Sequence, residues 1–244
     1  MGFPGSVRFL LKSLGDFVFP PICYGCDTEI EEGLVCEACR LDLFTHELAV
    51  CPRCGRPCTR TAETCGQCHT SFHLSRVRAV GLYVPPFDKL VHAFKYSGKT
   101  KVGELLGRAL AALVRQDEVL RAAQAVCPIP LHPARLRERG FNQSLLLAAA
   151  IAMESGIPLS DCLVRRKNTS TQTLKTNPEA RRKNLEGAFR LRPGAEVRGK
   201  TVLLVDDVMT TGATLDQAAQ PLLAAGASTV LGVVVAAAHA GGTA

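Results

Sequence analysis

Residues 202–214 read Val-Leu-Leu-Val-Asp-Asp-Val-Met-Thr-Thr-Gly-Ala-Thr, a run that leaves a chain little choice of fold. Four apolar residues, Val202 to Val205, predict a buried strand. Asp206 and Asp207 stand side by side at its C-terminal end. A hydroxyl-rich turn with a glycine follows, Thr210-Thr211-Gly212-Ala213-Thr214, and a helix is predicted from about residue 213. Ligands of α/β proteins sit at the carboxyl ends of parallel strands. The N–H groups and positive dipole end of a helix attract a phosphate. The two carboxylates would repel it. They suit ribose hydroxyls, or a hard cation such as Mg²⁺. A sugar phosphate with free hydroxyls satisfies both halves. An ordinary strand-to-helix turn needs one Asp and one Thr to cap the helix; two acids, three threonines and a glycine exceed that.

The rest of the chain after residue 70 alternates in the same way. Strands are predicted at 76–84, 125–129, near Leu163, at 201–205 and at 229–236. Helices are predicted at 87–96, 101–116, 143–155 and 213–225. Strands alternating with helices give a parallel sheet flanked by helices, an α/β fold. The strand at 125–129 runs into Pro130-Leu131-His132, and then into the basic stretch Ala134 to Ser144.

Residues 23–68 follow a different rule. Eight cysteines form four Cys-x-x-Cys pairs: Cys23/Cys26, Cys36/Cys39, Cys51/Cys54 and Cys65/Cys68. Each such turn offers two thiolates to one metal, and two turns complete a tetrahedral sulfur site. The simplest arrangement is two zinc ribbons in sequence with one Zn²⁺ each. A crossed arrangement, the first pair meeting the third, has equally suitable spacing. The regular spacing and the absence of a convincing signal peptide argue against a disulfide framework. So small a module has little room for a core, so metal would supply much of its stability. Cys127 and Cys162 lie in or beside apolar segments and read as buried thiols. The chain thus divides into an amphipathic helix within 1–22, a double zinc ribbon at 23–70 and an α/β domain at 71–244.

Charge is unevenly spread. Residues 1–70 carry 6 basic and 9 acidic groups, whereas 132–200 carry 14 against 6. Eight thiolates on two Zn²⁺ would lower the formal charge of +7 to about +3 without touching the basic lobe. Such a lobe suits an anionic partner, a phosphorylated substrate or nucleic acid. It suits a solvated surface equally well. Arg165-Arg166-Lys167 and Arg181-Arg182-Lys183 read as surface-loop cations and are the candidates for nucleic-acid backbone contacts. No apolar run is long enough to span a bilayer.

The segment 202–214 resembles the phosphoribosyl-diphosphate (PRPP) loop of type I phosphoribosyltransferases. The four cysteine pairs, Lys95-Tyr96, Pro130-Leu131-His132, Arg139-Gly140-Phe141-Asn142-Gln143 and that loop occur in the order seen in the ComF/GntX-like family. Gln172, Arg181, Asn184 and Gly187-Ala188-Phe189 also fit. The resemblance spans about residues 20–238. It implies a type I phosphoribosyltransferase-like domain behind a double zinc ribbon, and a tie to natural competence and DNA uptake. It further implies that Asp206 and Asp207 hold the ribose 2′- and 3′-hydroxyls and that Thr210, Thr211, Gly212, Ala213 and Thr214 wrap the 5′-phosphate, with Mg²⁺ accompanying PRPP. The turn at Leu131 and His132 then lies where a pyrophosphate loop would be. Arg137, Arg139 and, less directly, Lys95 would neutralise the pyrophosphate. Arg135, Arg137 and Arg139 equally fit an exposed helix face or nucleic-acid contacts, His132 a turn residue, and Lys95 a helix C-terminus. The zinc module is placed to recognise a base or to dock a protein. Two functions remain open. One is a Mg²⁺-dependent phosphoribosyltransferase with an unidentified acceptor. The other is a non-catalytic PRPP sensor that binds single-stranded DNA and docks a DNA-uptake helicase or membrane-channel protein. The expected location is cytoplasmic, with the inner face of the membrane as a peripheral alternative.

Overall fold

The computed structural model describes residues 20–45, 49–56, 65, 72–96, 99–167 and 184–238. Nearly all of the expected helix within 1–22, together with Cys68 and Arg181 to Lys183, lies outside them. In chain order the first elements are α1 (Glu37–Phe44), β1 (Arg76–Leu82), α2 (Phe87–Tyr96), α3 (Thr100–Gln116), α4 (Glu118–Arg121) and β2 (Ala125–Pro128). Then come α5 (Pro133–Arg139), α6 (Gln143–Ser155), β3 (Leu163–Arg165), β4 (Phe189–Leu191), β5 (Thr201–Met209), α7 (Ala213–Ala224) and β6 (Thr229–Ala237).

Four strands form one parallel sheet in the order β1-β6-β5-β2. Alternation along β5 shows how both faces are used, since successive side chains point to opposite sides. Leu203 and Val205 face a core built from α2, α3 and α6, including Phe94, Leu106, Leu110, Leu147 and Ile151. Val202 and Leu204 face the opposite core with Leu215, Ala218, Ala219 and Leu222 of α7. A strand covered on both faces must be continuously apolar, which is why 202–205 carries no polar residue.

Local signals start and stop the helices. Asn142 caps α6 by accepting from the Ser144 N–H at 3.2 Å, and Gly156 ends it in the left-handed region. The fully buried Leu147 and Ile151 stabilise it by roughly 3–6 kcal/mol together, against about 1 kcal/mol for the cap. Packing therefore decides this helix. The α3–α6 contact is close because of Gly107: a Cβ there would lie 2.5 Å from the Ala150 Cβ.

The structure differs from the sequence reading in three places. β5 continues through the acidic pair to Met209, and Asp206 is paired in register with Val234 of β6, so the carboxylates sit within the strand rather than at its end. The segment at Leu163 is not a fifth parallel strand; β3 pairs antiparallel with β4 as a separate ribbon. The short helices α1 and α4 and the strand β4 were not expected, being too short to show a period, while α5 is the exposed-helix alternative for its arginines.

Candidate functional site

The carboxylate pair is held from three elements. Asp206 Oδ1 accepts from Ser144 Oγ of α6 at 3.0 Å and from the Asp207 N–H at 2.9 Å. Asp207 Oδ2 lies 2.9 Å from Lys95 Nζ at the end of α2. Removal from water, and then the neighbouring Asp207 charge, push the Asp206 carboxyl up to about 7; the Asp207 N–H, Lys95 and Ser144 act the other way. Two carboxylates side by side cannot both ionise cheaply, and the Lys95 ammonium offsets part of that cost. The pair is a concentrated source of hard oxygen acceptors, fit for sugar hydroxyls or Mg²⁺.

The hydroxyl loop follows directly. Gly212 is left-handed, with φ 77°, at the N-cap of α7, where a side chain would be strained. Thr211 Oγ1 accepts from the Ala213 N–H at 3.3 Å, and its carbonyl accepts from the Arg56 guanidinium. Thr210 is exposed, Thr214 half-buried and Ala213 buried. The opening N–H groups of α7 have no intrahelical partner. The loop therefore brings donors, and the strand beside it brings acceptors.

The remaining candidates separate. His132 Nδ1 accepts from the Ala134 N–H at 3.2 Å and caps α5; Leu131 precedes it, half-buried. Arg137 is exposed on α5. Arg139 donates to Gln143 Oε1 at 3.2 Å and lies 5.6 Å over the Tyr96 ring. Arg165 was read as a surface-loop cation, but it stands half-buried in β3, 5.4 Å over the Phe189 ring. Burial and Arg135 push its guanidinium down, and Asp206 holds it up, so it lies within electrostatic reach of the acidic pair. Arg166 and Lys167 are exposed.

The cysteines gather in chain order. Cys23, Cys26, Cys36 and Cys39 bring their sulfurs within 4.8 Å of one another, as do Cys51, Cys54 and Cys65. This is the sequential arrangement, not the crossed one. Sulfurs on a tetrahedral Zn²⁺ at about 2.3 Å stand about 3.8 Å apart. The Cys26–Cys36 and Cys54–Cys65 separations are 3.6 and 3.5 Å. Backbone N–H groups of Cys36 and Cys65 point at Cys23 Sγ and Cys51 Sγ, at 3.2 and 3.3 Å, as befits thiolates. The residues fit Zn²⁺. Cys127 and Cys162 are buried, with their sulfurs 3.3 Å apart.

Ser144, Arg56 and the His73–Asp216 pair escaped the sequence reading. Ser144 carried a weak signal, two residues beyond Asn142 in the Arg139–Gln143 motif. The ring Nδ1 and backbone N–H of His73 both meet Asp216 Oδ1, at 3.0 and 2.8 Å. Nothing in the local sequence marks a contact across 143 residues.

Fold and site together define a protein that joins a double zinc ribbon to a phosphoribosyltransferase-type α/β domain. Residues 14–69 match the family described as double zinc ribbon domain, and residues 142–244 that described as phosphoribosyl transferase domain. The chain is 34% identical over 218 residues to DNA utilization protein YhgH of Escherichia coli O157:H7, covering 86% of this chain and 94% of that one. It is 30% identical to competence protein F of Haemophilus influenzae (80% and 87% covered) and 30% identical to competence protein ComFC of Bacillus subtilis (84% and 90%). It belongs to the ComF family. Solved phosphoribosyltransferases align only loosely; adenine phosphoribosyltransferase of Leishmania tarentolae gives a TM-score of 0.37 at 16% identity over 63% of this chain and 76% of its own.

Proposed function

We propose that the α/β domain, residues 71–244, binds PRPP with Mg²⁺ and transfers its phosphoribosyl group to a nucleophilic acceptor, within a role in DNA uptake or utilisation. The observation that carries this is the adjacency of acceptors and donors: Asp206 and Asp207 in β5, then the Thr210–Thr214 loop opening α7. Asp206 and Asp207 hold the ribose hydroxyls, directly or through Mg²⁺ waters. The loop holds the 5′-phosphate with N–H and hydroxyl groups. Lys95 moves its charge from Asp207 toward the ligand, and Arg139, Arg137 and the turn at Leu131 and His132 face the leaving pyrophosphate. Such a transfer passes through a state with oxocarbenium character. It asks for positioning and charge stabilisation rather than a protein nucleophile. Mg²⁺, when bound, supplies the largest local charge on the pyrophosphate.

The basic excess at 132–200, beside relatives named for DNA utilization and competence, supports a second reading, in which the pocket senses PRPP and the basic lobe binds single-stranded DNA while the ribbons dock a helicase or channel protein. No helix among the described residues is long and apolar enough to cross a membrane. Calorimetry with PRPP, with and without Mg²⁺, tests the pocket. Mg²⁺-dependent binding that the Asp206→Asn/Asp207→Asn variant loses is the expected result. A folded wild type that binds nothing overturns it. Release of pyrophosphate on adding candidate acceptors separates the enzyme from the sensor.

A further inference from the structure

The turn Cys51 to Arg56 reaches the phosphate loop. Its ends are tied by Cys51 N–H to the Arg56 carbonyl at 2.8 Å and Gly55 N–H to the Cys51 carbonyl at 3.0 Å. It is seated on β1: the Val77 N–H donates to the Arg53 carbonyl at 2.7 Å, and Arg78 donates to the Pro52 carbonyl at 3.0 Å. A Cβ on Gly55 would lie 2.4 Å from the Val77 carbonyl oxygen, so only glycine permits the approach.

From this base two arginines extend. Arg56 donates to the Thr211 carbonyl. Arg53 donates to the Phe72 carbonyl and lies 5.9 Å over the Phe72 ring. The edge of that ring would meet a Cβ on Gly212 at 3.3 Å. The next residue, His73, holds Asp216 in the first turn of α7. We propose that Arg56 is a positioning residue for the Thr210–Thr214 loop, and that metal at Cys51, Cys54 and Cys65 is thereby coupled to phosphate binding at that loop. The ligand half rests on the PRPP reading above. The reason is stereochemical. In a trans peptide the C=O and the following N–H point in opposite directions. Arg56 fixes the Thr211 carbonyl toward the ribbon and so aims the Gly212 N–H away from it. Without metal the turn loses its closure, and Arg56 its anchor. Coupling is reciprocal: whatever factor the metal adds to ligand affinity, the ligand adds to metal affinity. The first cluster is the internal control, because the side-chain contacts of its turn, Asp27 to Lys89 of α2 and Tyr24 to Lys99 at the N-cap of α3, lie away from the Thr210–Thr214 loop.

The test compares zinc-loaded wild type with Arg56→Ala and Arg56→Lys. Amide exchange at Ala213 and Asp216, whose N–H groups donate to Thr211 Oγ1 and to the Gly212 carbonyl, is read first, without ligand. It should quicken about tenfold in Arg56→Ala, the effect of one lost charge-assisted hydrogen bond, with two Zn²⁺ still bound. Arg56→Lys, which keeps the cation, should restore part of the protection and serves alone if the alanine variant fails to fold. Unchanged exchange in the folded variants overturns the proposal. With PRPP and Mg²⁺, release of one Zn²⁺ to a chelator should slow in wild type but not in Arg56→Ala; equal slowing in both, or of both metals, also overturns it. If wild type does not bind PRPP, the functional reading fails, and the exchange comparison still decides the role of Arg56.

Discussion

At the scale of single residues, Asp206 sets the pH behaviour. Its carboxyl titrates near 7 in the folded chain, against an ordinary 3.8. Between those values the native state holds a proton that the unfolded state has lost. Stability therefore falls as pH rises from about 4 to about 7, and the loss is complete above 7. Asp206→Asn removes this contribution, so its stability relative to wild type should be greater at pH 8 than at pH 5, by a few kcal/mol at most. Urea midpoints at the two pH values check it; equal differences would mean that Asp206 ionises normally. Lys95 works in the opposite direction. Lys95→Met leaves the pair without its cation, so Asp206 should titrate above 7 and PRPP binding at pH 7 should weaken about tenfold or more, read by calorimetry. The acidic pair was legible in the sequence because both acids are contiguous with the strand. Ser144 and Lys95 were harder to place. Their partners are more than 60 residues away, and a local pattern carries no record of what the fold brings opposite.

At the scale of elements, legibility followed length and period. The boundaries of α2 were readable because its 10 residues carry a regular apolar face, and those of α6 because its 13 residues are an apolar run between Asn142 and Gly156. β4 spans Phe189–Leu191, too short to alternate, and its pairing with β3 depends on residues far along the chain. The length of β5 was hidden by its acids: Asp206 and Asp207 read as the start of a turn, yet the ladder to β6 needs only their backbones. A further test belongs to the α3–α6 contact. Gly107→Ala gains about 1 kcal/mol of helix propensity but drives a methyl into Ala150, a contact at 2.5 Å that costs about 1–3 kcal/mol. The net effect should be destabilising by up to roughly 2 kcal/mol in urea unfolding, and Ala150→Gly in the same chain should restore it.

At the scale of the whole molecule, charge and metal are partitioned. The N-terminal module is acidic and carries the sulfur sites, and the basic excess lies at 132–200. Within that lobe Arg165 is half-buried over the Phe189 ring, which leaves Arg166 and Lys167 as the exposed cations among the described residues of their loop. Arg166→Glu with Lys167→Glu should weaken binding to an oligothymidylate and flatten the dependence of log K on log salt by about 1.4, two contacts at roughly 0.7 each. An unchanged slope would move the DNA surface elsewhere. The same substitutions should leave PRPP affinity within about twofold, because neither side chain contacts the carboxylate pair or the loop.

The second metal-bearing turn also covers something. β1 is one of the two outer strands of the sheet, and the turn takes up its Val77 N–H and lies against its Val77 carbonyl. An outer strand stripped of its cover is a template on which other chains pair. Withdrawal of zinc should then show itself first as self-association, with scattering that grows with protein concentration while the buried sheet is still intact, so that a chelator in the purification buffer becomes a cause of precipitation.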